Sequence, residues 1–175
     1  MKAMPKSSKK RLLALTVNGR PTKVKVSPTW TLLRVLREEL HLTATKKGCE
    51  QGDCGVCTVI MNGKTVNACL VLALQAEGKQ IETIEGLGTA EKLHPLQESF
   101  IEKGAIQCGF CTPGMLMSAA ALLQRNPRPN ASEIQEGLSG NLCRCTGYAR
   151  IIKAVKAASE KAAEVGGLQT PDRKN

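Results

Sequence analysis

The sequence predicts an α+β protein built as two consecutive domains, and three observations carry that expectation. Apolar residues alternate with period two in residues 13–26 and again around 58–68, the spacing of half-buried strands. After Gly86-Leu87-Gly88 the alternation stops and apolar residues recur at helical spacing. The eight cysteines divide across that boundary, four on each side.

Leu13, Leu15 and Val17 alternate with Ala14 and Thr16, and Asn18-Gly19 offers a tight turn into Lys23-Val24-Lys25-Val26. This predicts a hairpin with one buried face, ended by Pro28. Leu32, Leu36 and Leu40, with Val35, form an i, i+4, i+8 stripe that reads as a helix of about ten residues, with Thr31 or Thr29 as its cap. Residues 43–57 follow neither period and carry Gly48, Gly52 and Gly55, so they predict a loop. Thr58–Met61, Asn62-Gly63 and Lys64–Ala68 predict a second hairpin, with Cys69 just beyond it. Ile81–Ile84 is the last short strand expected. This order of elements is compatible with a β-grasp ferredoxin-like domain but does not single it out.

In the second part, Leu93, Leu96, Phe100 and Ile101 mark a helix stopped by Gly104. Pro113 to Gln124 is an Ala- and Leu-rich helix closed by Asn126-Pro127-Arg128-Pro129. Asn130 with Glu133 resembles a capping box, and Tyr148 to Ala163 supplies a fourth helix. A small four-helix bundle is the expected packing. The expected boundaries are a disordered basic lead over 1–11, a first domain over 12–86, a second over 87–165 and a disordered tail over 166–175.

The formal charge of +10 is concentrated in the lead. Lys2, Lys6, Lys9, Lys10 and Arg11 contribute +5 and the last ten residues +1, leaving +4 on residues 12–165. No basic stripe with stacking aromatics appears, so nucleic-acid binding is not expected. No apolar run approaches the ~20 residues of a membrane span. The first residues lack a twin-arginine pair, and Leu12–Val17 is too short for a signal-peptide core. A cytoplasmic protein with no membrane association is therefore expected. Thiols stay reduced in that compartment, so cysteines there are better explained by metal than by disulfides.

Cys49, Cys54, Cys57 and Cys69 are spaced C-x4-C-x2-C-x11-C. Three ligands from one tight loop match the plant-type ferredoxin spacing, in which four thiolates hold a 2Fe–2S cluster. A zinc ribbon would instead supply two separate knuckles. Cys108, Cys111, Cys143 and Cys145 form two close pairs, C-x2-C and C-x1-C, and spacing alone leaves zinc or a 4Fe–4S cluster open at this second site. Each of these pairs is followed by a threonine, Thr112 or Thr146, in an expected N-cap position before a helix. Two helix N-termini would then face one anionic site. His41 and His94 read as surface or capping residues, and Met115 and Met117 as packing. No catalytic acid, base or nucleophile stands out.

The segments GCEQGDCGVCTV at 48–59, QCGFCTPGM at 107–115 and GNLCRCTGY at 140–148 resemble the small iron–sulfur subunit of the molybdenum hydroxylases. That family includes xanthine dehydrogenase, aldehyde oxidoreductase, carbon monoxide dehydrogenase and 4-hydroxybenzoyl-CoA reductase. The resemblance runs in order from about Leu13 to Ala162. It implies a plant-type ferredoxin domain followed by a helical domain, each with a 2Fe–2S cluster. By the same resemblance Cys108, Cys111, Cys143 and Cys145 hold the molybdenum-proximal cluster. Cys49, Cys54, Cys57 and Cys69 hold the FAD-proximal one, and Gln107 and Cys145 contact the molybdopterin. The implied partners are a large molybdopterin-binding subunit and a medium FAD-binding subunit, with a dimer of heterotrimers as a further arrangement. The implied function is electron transfer within a molybdenum-containing oxidoreductase whose substrate site lies on a partner chain. The same relay could run towards substrate, as in an aromatic acyl-CoA reductase. A free-standing ferredoxin-like carrier is the remaining redox reading, and a zinc-stapled interaction module the one outside redox chemistry.

Overall fold

The structure is a computed structural model that describes residues 9–164. Most of the expected lead, and the whole of the expected tail, lie outside the described residues. Arg11, assigned to the lead on sequence, instead opens the first strand opposite Val26. Lys10 places its ammonium 4.8 Å from the centre of the Trp30 ring, with the Arg34 guanidinium 4.3 Å away over the same ring.

Strands β1 (Arg11–Val17) and β2 (Arg20–Val26) form the first hairpin. Asn18 and Gly19 both have positive φ (49° and 78°), the conformation that matches a two-residue turn to the twist of its strands. Leu13, Leu15 and Val17 face the core from alternate positions. Thr31 caps the following helix by accepting the Arg34 N–H at 3.2 Å. That helix, α1 (Leu32–Arg34), passes at once into a π-helical turn over Val35–Glu39, in which the Leu40 N–H reaches back to the Val35 carbonyl. The expected helix is therefore present but is not regular α-helix along its length.

Strands β3 (Thr58–Met61) and β4 (Lys64–Asn67) form the second hairpin, and β5 (Gln80–Glu82) completes the sheet. The order is β2-β1-β5-β3-β4. β5 runs parallel to β1 and antiparallel to β3, so the last strand inserts between two hairpins that are local in sequence. This mixed sheet covered by α1 is the β-grasp arrangement. The expected strand over 81–84 ends at Glu82, and Ile84–Gly86 instead forms a 3-10 turn.

Helices α2 (Pro95–Glu102), α3 (Thr112–Arg125), α4 (Ala131–Gly137) and α5 (Ala149–Glu164) build the second domain. His94 caps α2 by accepting the Leu96 N–H on Nδ1 at 3.2 Å, and Gln97 accepts the His94 N–H in return. Asn130 and Glu133 form the expected reciprocal pair at α4. α3 is the central element: every residue from Gly114 to Leu123 is buried, Met115 and Met117 among them. It packs against β3 on one side and against α2 and α4 on the other. Ile60 of β3 belongs to the helical core, so the two domains share an apolar seam. Among the described residues no helix is long and apolar enough to cross a membrane.

Candidate metal centres

The 43–57 loop is held to the rest of the first domain by named bonds. The Arg37 guanidinium donates to the carbonyls of Thr43 and Thr45 at 2.7 Å each, and Asn67 donates to the Gly52 carbonyl at 2.9 Å. Within the loop, Cys49 and Cys54 exchange backbone N–H···S bonds. The Cys49 N–H points to Cys54 Sγ at 3.5 Å, and the Cys54 N–H to Cys49 Sγ at 3.4 Å. The Gln51 N–H, then that of Cys54, hold the Cys49 thiol down to about 6. Gly55 has φ +68°, a conformation glycine adopts without a steric penalty. Gly48 serves by space alone, since a Cβ there would stand 3.0 Å from Cys54 Sγ.

Cys57 and Cys69 are buried and their side chains touch. Burial, and then the like charges of Cys69 and Cys54, push the Cys57 thiol up to about 12. The first site is thus two sulfur pairs, Cys49 with Cys54 and Cys57 with Cys69. One pair is set among N–H donors and the other is buried in the domain core.

The second site repeats the pairing. Cys108 and Cys145 are exposed and their sulfurs lie 3.6 Å apart. Cys111 and Cys143 lie deeper and are also in side-chain contact, with burial, then Cys143 and Cys108, raising Cys111 to about 12. Burial also acts to raise Cys143. The donors of Thr146, Oγ1 at 3.1 Å and N–H at 3.4 Å, outweigh it and leave that thiol below its ordinary value. Gln107 is exposed beside Cys108.

The threonines are not the N-caps expected of them. Cys111 itself is the N-cap of α3, which makes Thr112 the first helical residue. Thr146 spends its hydroxyl proton on Cys143 Sγ. Gly147 and Tyr148 both have positive φ (61° and 67°), so α5 cannot begin before Ala149. One helix N-terminus abuts the site directly, and the other is set back from it by a turn.

Two residues escaped the sequence reading. The Tyr148 hydroxyl accepts the Cys143 N–H at 2.9 Å and donates to the Asn141 carbonyl at 3.2 Å. Asn141 is 3% exposed and bonds across to the first site. An asparagine two positions before a cysteine gives no local sign of such burial.

The donor chemistry fits two-iron groups. All eight thiols are free, and Cys57 and Cys111, whose thiolate forms are disfavoured by burial and by neighbouring sulfurs, would be held as thiolates by an electropositive centre. Among the described residues no three Cys, His, Asp or Glu side chains converge as ligands of a single ion, whereas tetrahedral zinc needs every sulfur about 2.3 Å from one point. Two sulfur pairs per site match a binuclear group with two thiolates on each iron.

Comparison with known proteins agrees with the fold and with the binding of 2Fe–2S groups. Residues 15–85 match the family model described as 2Fe-2S iron-sulfur cluster binding domain, and residues 83–156 match [2Fe-2S] binding domain. The chain is 49% identical over 149 residues to the nicotinate dehydrogenase small FeS subunit of Eubacterium barkeri, covering 85% of this chain and 95% of that protein. It is 45% identical over 162 residues to the aldehyde oxidoreductase iron-sulfur-binding subunit PaoA of Escherichia coli (strain K12), covering 84% and 71%. The crystal structure of quinoline 2-oxidoreductase from Pseudomonas putida 86 superposes with a TM-score of 0.86 at 50% identity, over 91% of this chain and 99% of that one. A β-grasp ferredoxin-like domain joined to a helical 2Fe–2S-binding domain defines an iron–sulfur protein of oxidoreductase type. More narrowly, the chain belongs to the family of iron–sulfur subunits of the molybdenum hydroxylases.

Proposed function

We propose that this chain is the electron-transfer subunit of a molybdenum-cofactor hydroxylase, relaying single electrons from a molybdopterin site to FAD, each carried on a partner subunit. The observation that carries the proposal is the arrangement of eight free thiols as two sulfur pairs at each of two sites. Cys49 with Cys54, and Cys57 with Cys69, would hold one 2Fe–2S cluster. Cys108 with Cys145, and Cys111 with Cys143, would hold the other. Each cluster when bound supplies a one-electron couple, with plant-type ferredoxin centres near about −400 mV as a reference.

The chain's own residues then set the environment of each couple. At the first site the N–H groups of Cys49 and Cys54 stabilise negative charge on the Cys49/Cys54 pair, while Cys57 and Cys69 exclude water by burial. At the second, Thr146 donates twice to Cys143. The exposed edge made by Gln107, Cys108 and Cys145 supports a molybdenum-proximal role for this site, with Gln107 and Cys145 as the molybdopterin contacts. The large molybdopterin-binding subunit would cover that edge. The medium FAD-binding subunit would lie on the first domain's side. The sharing of labour follows the proposed division at about residues 86–87, next to the overlap of the two family models at residues 83–85.

Reductive titration of the native protein, followed by electron paramagnetic resonance, tests this reading. Two distinguishable 2Fe–2S signals are expected. A single signal, or zinc in place of iron at either site, would contradict it.

A further inference from the structure

The two cysteine sites are bonded to each other through the backbone. The Leu142 N–H donates to the Cys54 carbonyl at 3.0 Å. Cys54 belongs to the first site and Leu142 directly precedes Cys143 of the second. A continuous path therefore runs from Cys54 Sγ along the Cys54 backbone, across one hydrogen bond, and through Leu142 to Cys143 Sγ. Among the described residues the Leu142–Cys54 bond is the one backbone hydrogen bond joining the 49–57 and 141–145 segments.

This crossing is surrounded by one buried polar network. Asn141 Nδ2 donates to the Gly55 carbonyl at 2.8 Å and to Thr58 Oγ1 at 3.2 Å. Asn141 Oδ1 accepts from Ser118 Oγ of α3 at 2.6 Å. Thr58 Oγ1 itself donates to the Gly55 carbonyl at 2.7 Å. Both amide protons and the amide oxygen are thus engaged, and Asn141, Thr58 and Ser118 are each no more than 6% exposed. The backbones also meet without side chains between them: a Cβ on Gly55 would collide with the Gly140 carbonyl. From the other flank the Tyr148 hydroxyl grips the Asn141 carbonyl and the Cys143 N–H.

We infer that Asn141 is a positioning residue for electron transfer between the two sites, its buried amide clamping the first-site loop against the second so that the Leu142–Cys54 bond stays closed. The inference rests on the two-cluster reading above. In the step it serves, one electron leaves the second site, which is oxidised, and enters the first, which is reduced. No bond is made or broken, and no proton moves. An amide is suited to this place because it donates to a carbonyl on one side and accepts from a hydroxyl on the other. An aspartate of the same shape would set a carboxylate oxygen against the Gly55 carbonyl, and a leucine would leave the Gly55 and Thr58 oxygens without their donor.

The test uses the assembled enzyme with its partner subunits, carrying Asn141→Ala or Asn141→Asp. Three quantities are read: the two iron–sulfur signals, the magnetic splitting between the two reduced sites, and hydrogen exchange at the Leu142 amide. Both variants should keep both signals, lose or narrow the splitting, and speed Leu142 exchange about tenfold or more, the effect of losing at least two of the three buried hydrogen bonds of the Asn141 side chain that guard a local opening. Unchanged splitting with Leu142 exchange within about twofold of wild type would overturn the inference, since one net hydrogen bond is already worth more than that. If neither variant assembles or loads, Ser118→Ala decides, because it removes a single bond from the same amide. Narrower splitting with faster Leu142 exchange supports the clamp, and wild-type values for both overturn it. A wild-type enzyme without two iron–sulfur signals would overturn the two-cluster reading itself, a result distinct from any behaviour of the variants.

Discussion

Replacing Gly114 by alanine sets helix propensity against packing, and the structure decides which wins. Gly114 lies in the first turn of α3, where alanine is intrinsically favoured over glycine by about 1 kcal/mol. A Cβ at this position would collide with the Gly55 carbonyl and stand 3.1 Å from both the Asn141 Nδ2 and the Val56 Cα. Two of these three neighbours are backbone of the first-site loop, which cannot turn aside as a side chain would. Forcing a methyl group into a closed seam costs about 1–3 kcal/mol, and rigid backbone neighbours place this one at the upper end, so after the propensity gain of about 1 kcal/mol a net loss of about 2 kcal/mol is expected. For a chain of this size that lowers the thermal midpoint by about 4–8 °C. Gly137→Ala is the matched control. Its Cβ would meet only the Leu122 side chain, nearest atom 2.9 Å, which can change rotamer. Circular dichroism of the loaded protein at one fixed scan rate measures both variants. A Gly114→Ala midpoint equal to or above that of Gly137→Ala would refute the backbone interlock between the two domains.

Thr146→Val removes the hydroxyl donor to Cys143 Sγ while keeping the shape of the side chain. The second-site potential should fall by tens of millivolts, about 59 mV for each 1.4 kcal/mol of lost stabilisation, with the first-site potential unmoved in a redox titration. A fall at both sites would mean that the hydroxyl acts through the fold and not through the sulfur. His94 is buried at the start of α2, and burial holds its imidazole down to about 4, against about 6.5 when unfolded. The unfolded chain therefore binds a proton that the folded chain refuses as pH falls from 6.5 to 4, so stability should decline through that window and be unaffected above it. His94→Asn keeps an N-capping side chain without the titration and should flatten the decline in denaturation midpoints measured across the window. An unchanged slope would assign the acid sensitivity to other groups.

What could be read in the sequence was what neighbouring residues decide. Asn18-Gly19 and Asn62-Gly63 specify two-residue turns, and both hairpins form around them with positive φ at all four positions. Asn130 and Glu133, and the His94 cap, likewise need only a few residues of context. The cysteine spacing pointed to a two-iron group at the first site because three of its thiols share one short loop, whereas at the second, whose two pairs are far apart in the chain, spacing alone left the metal open. The insertion of β5 between β1 and β3 was not legible, since it pairs residues more than sixty positions apart on one side with those of a hairpin on the other. The threonine caps were misplaced for a similar reason: the sulfur of Cys143 competes for the Thr146 hydroxyl, and sequence patterns do not show that competitor. Asn141 was invisible because its partners, Gly55, Thr58 and Ser118, come from a loop, a strand and a helix. Polar networks that join domains leave no periodic trace in any one of the segments they join.

The central claim is that two independent two-iron sites stand on this chain, each held by its own four cysteines. Comparing Cys111→Ser with Cys57→Ser by electron paramagnetic resonance tests it most directly. The first substitution should abolish or alter one 2Fe–2S signal and leave the other present, without the splitting its neighbour imposes, and the second should do the reverse. Loss of both signals in either variant, or the same signal lost in both, would contradict the account.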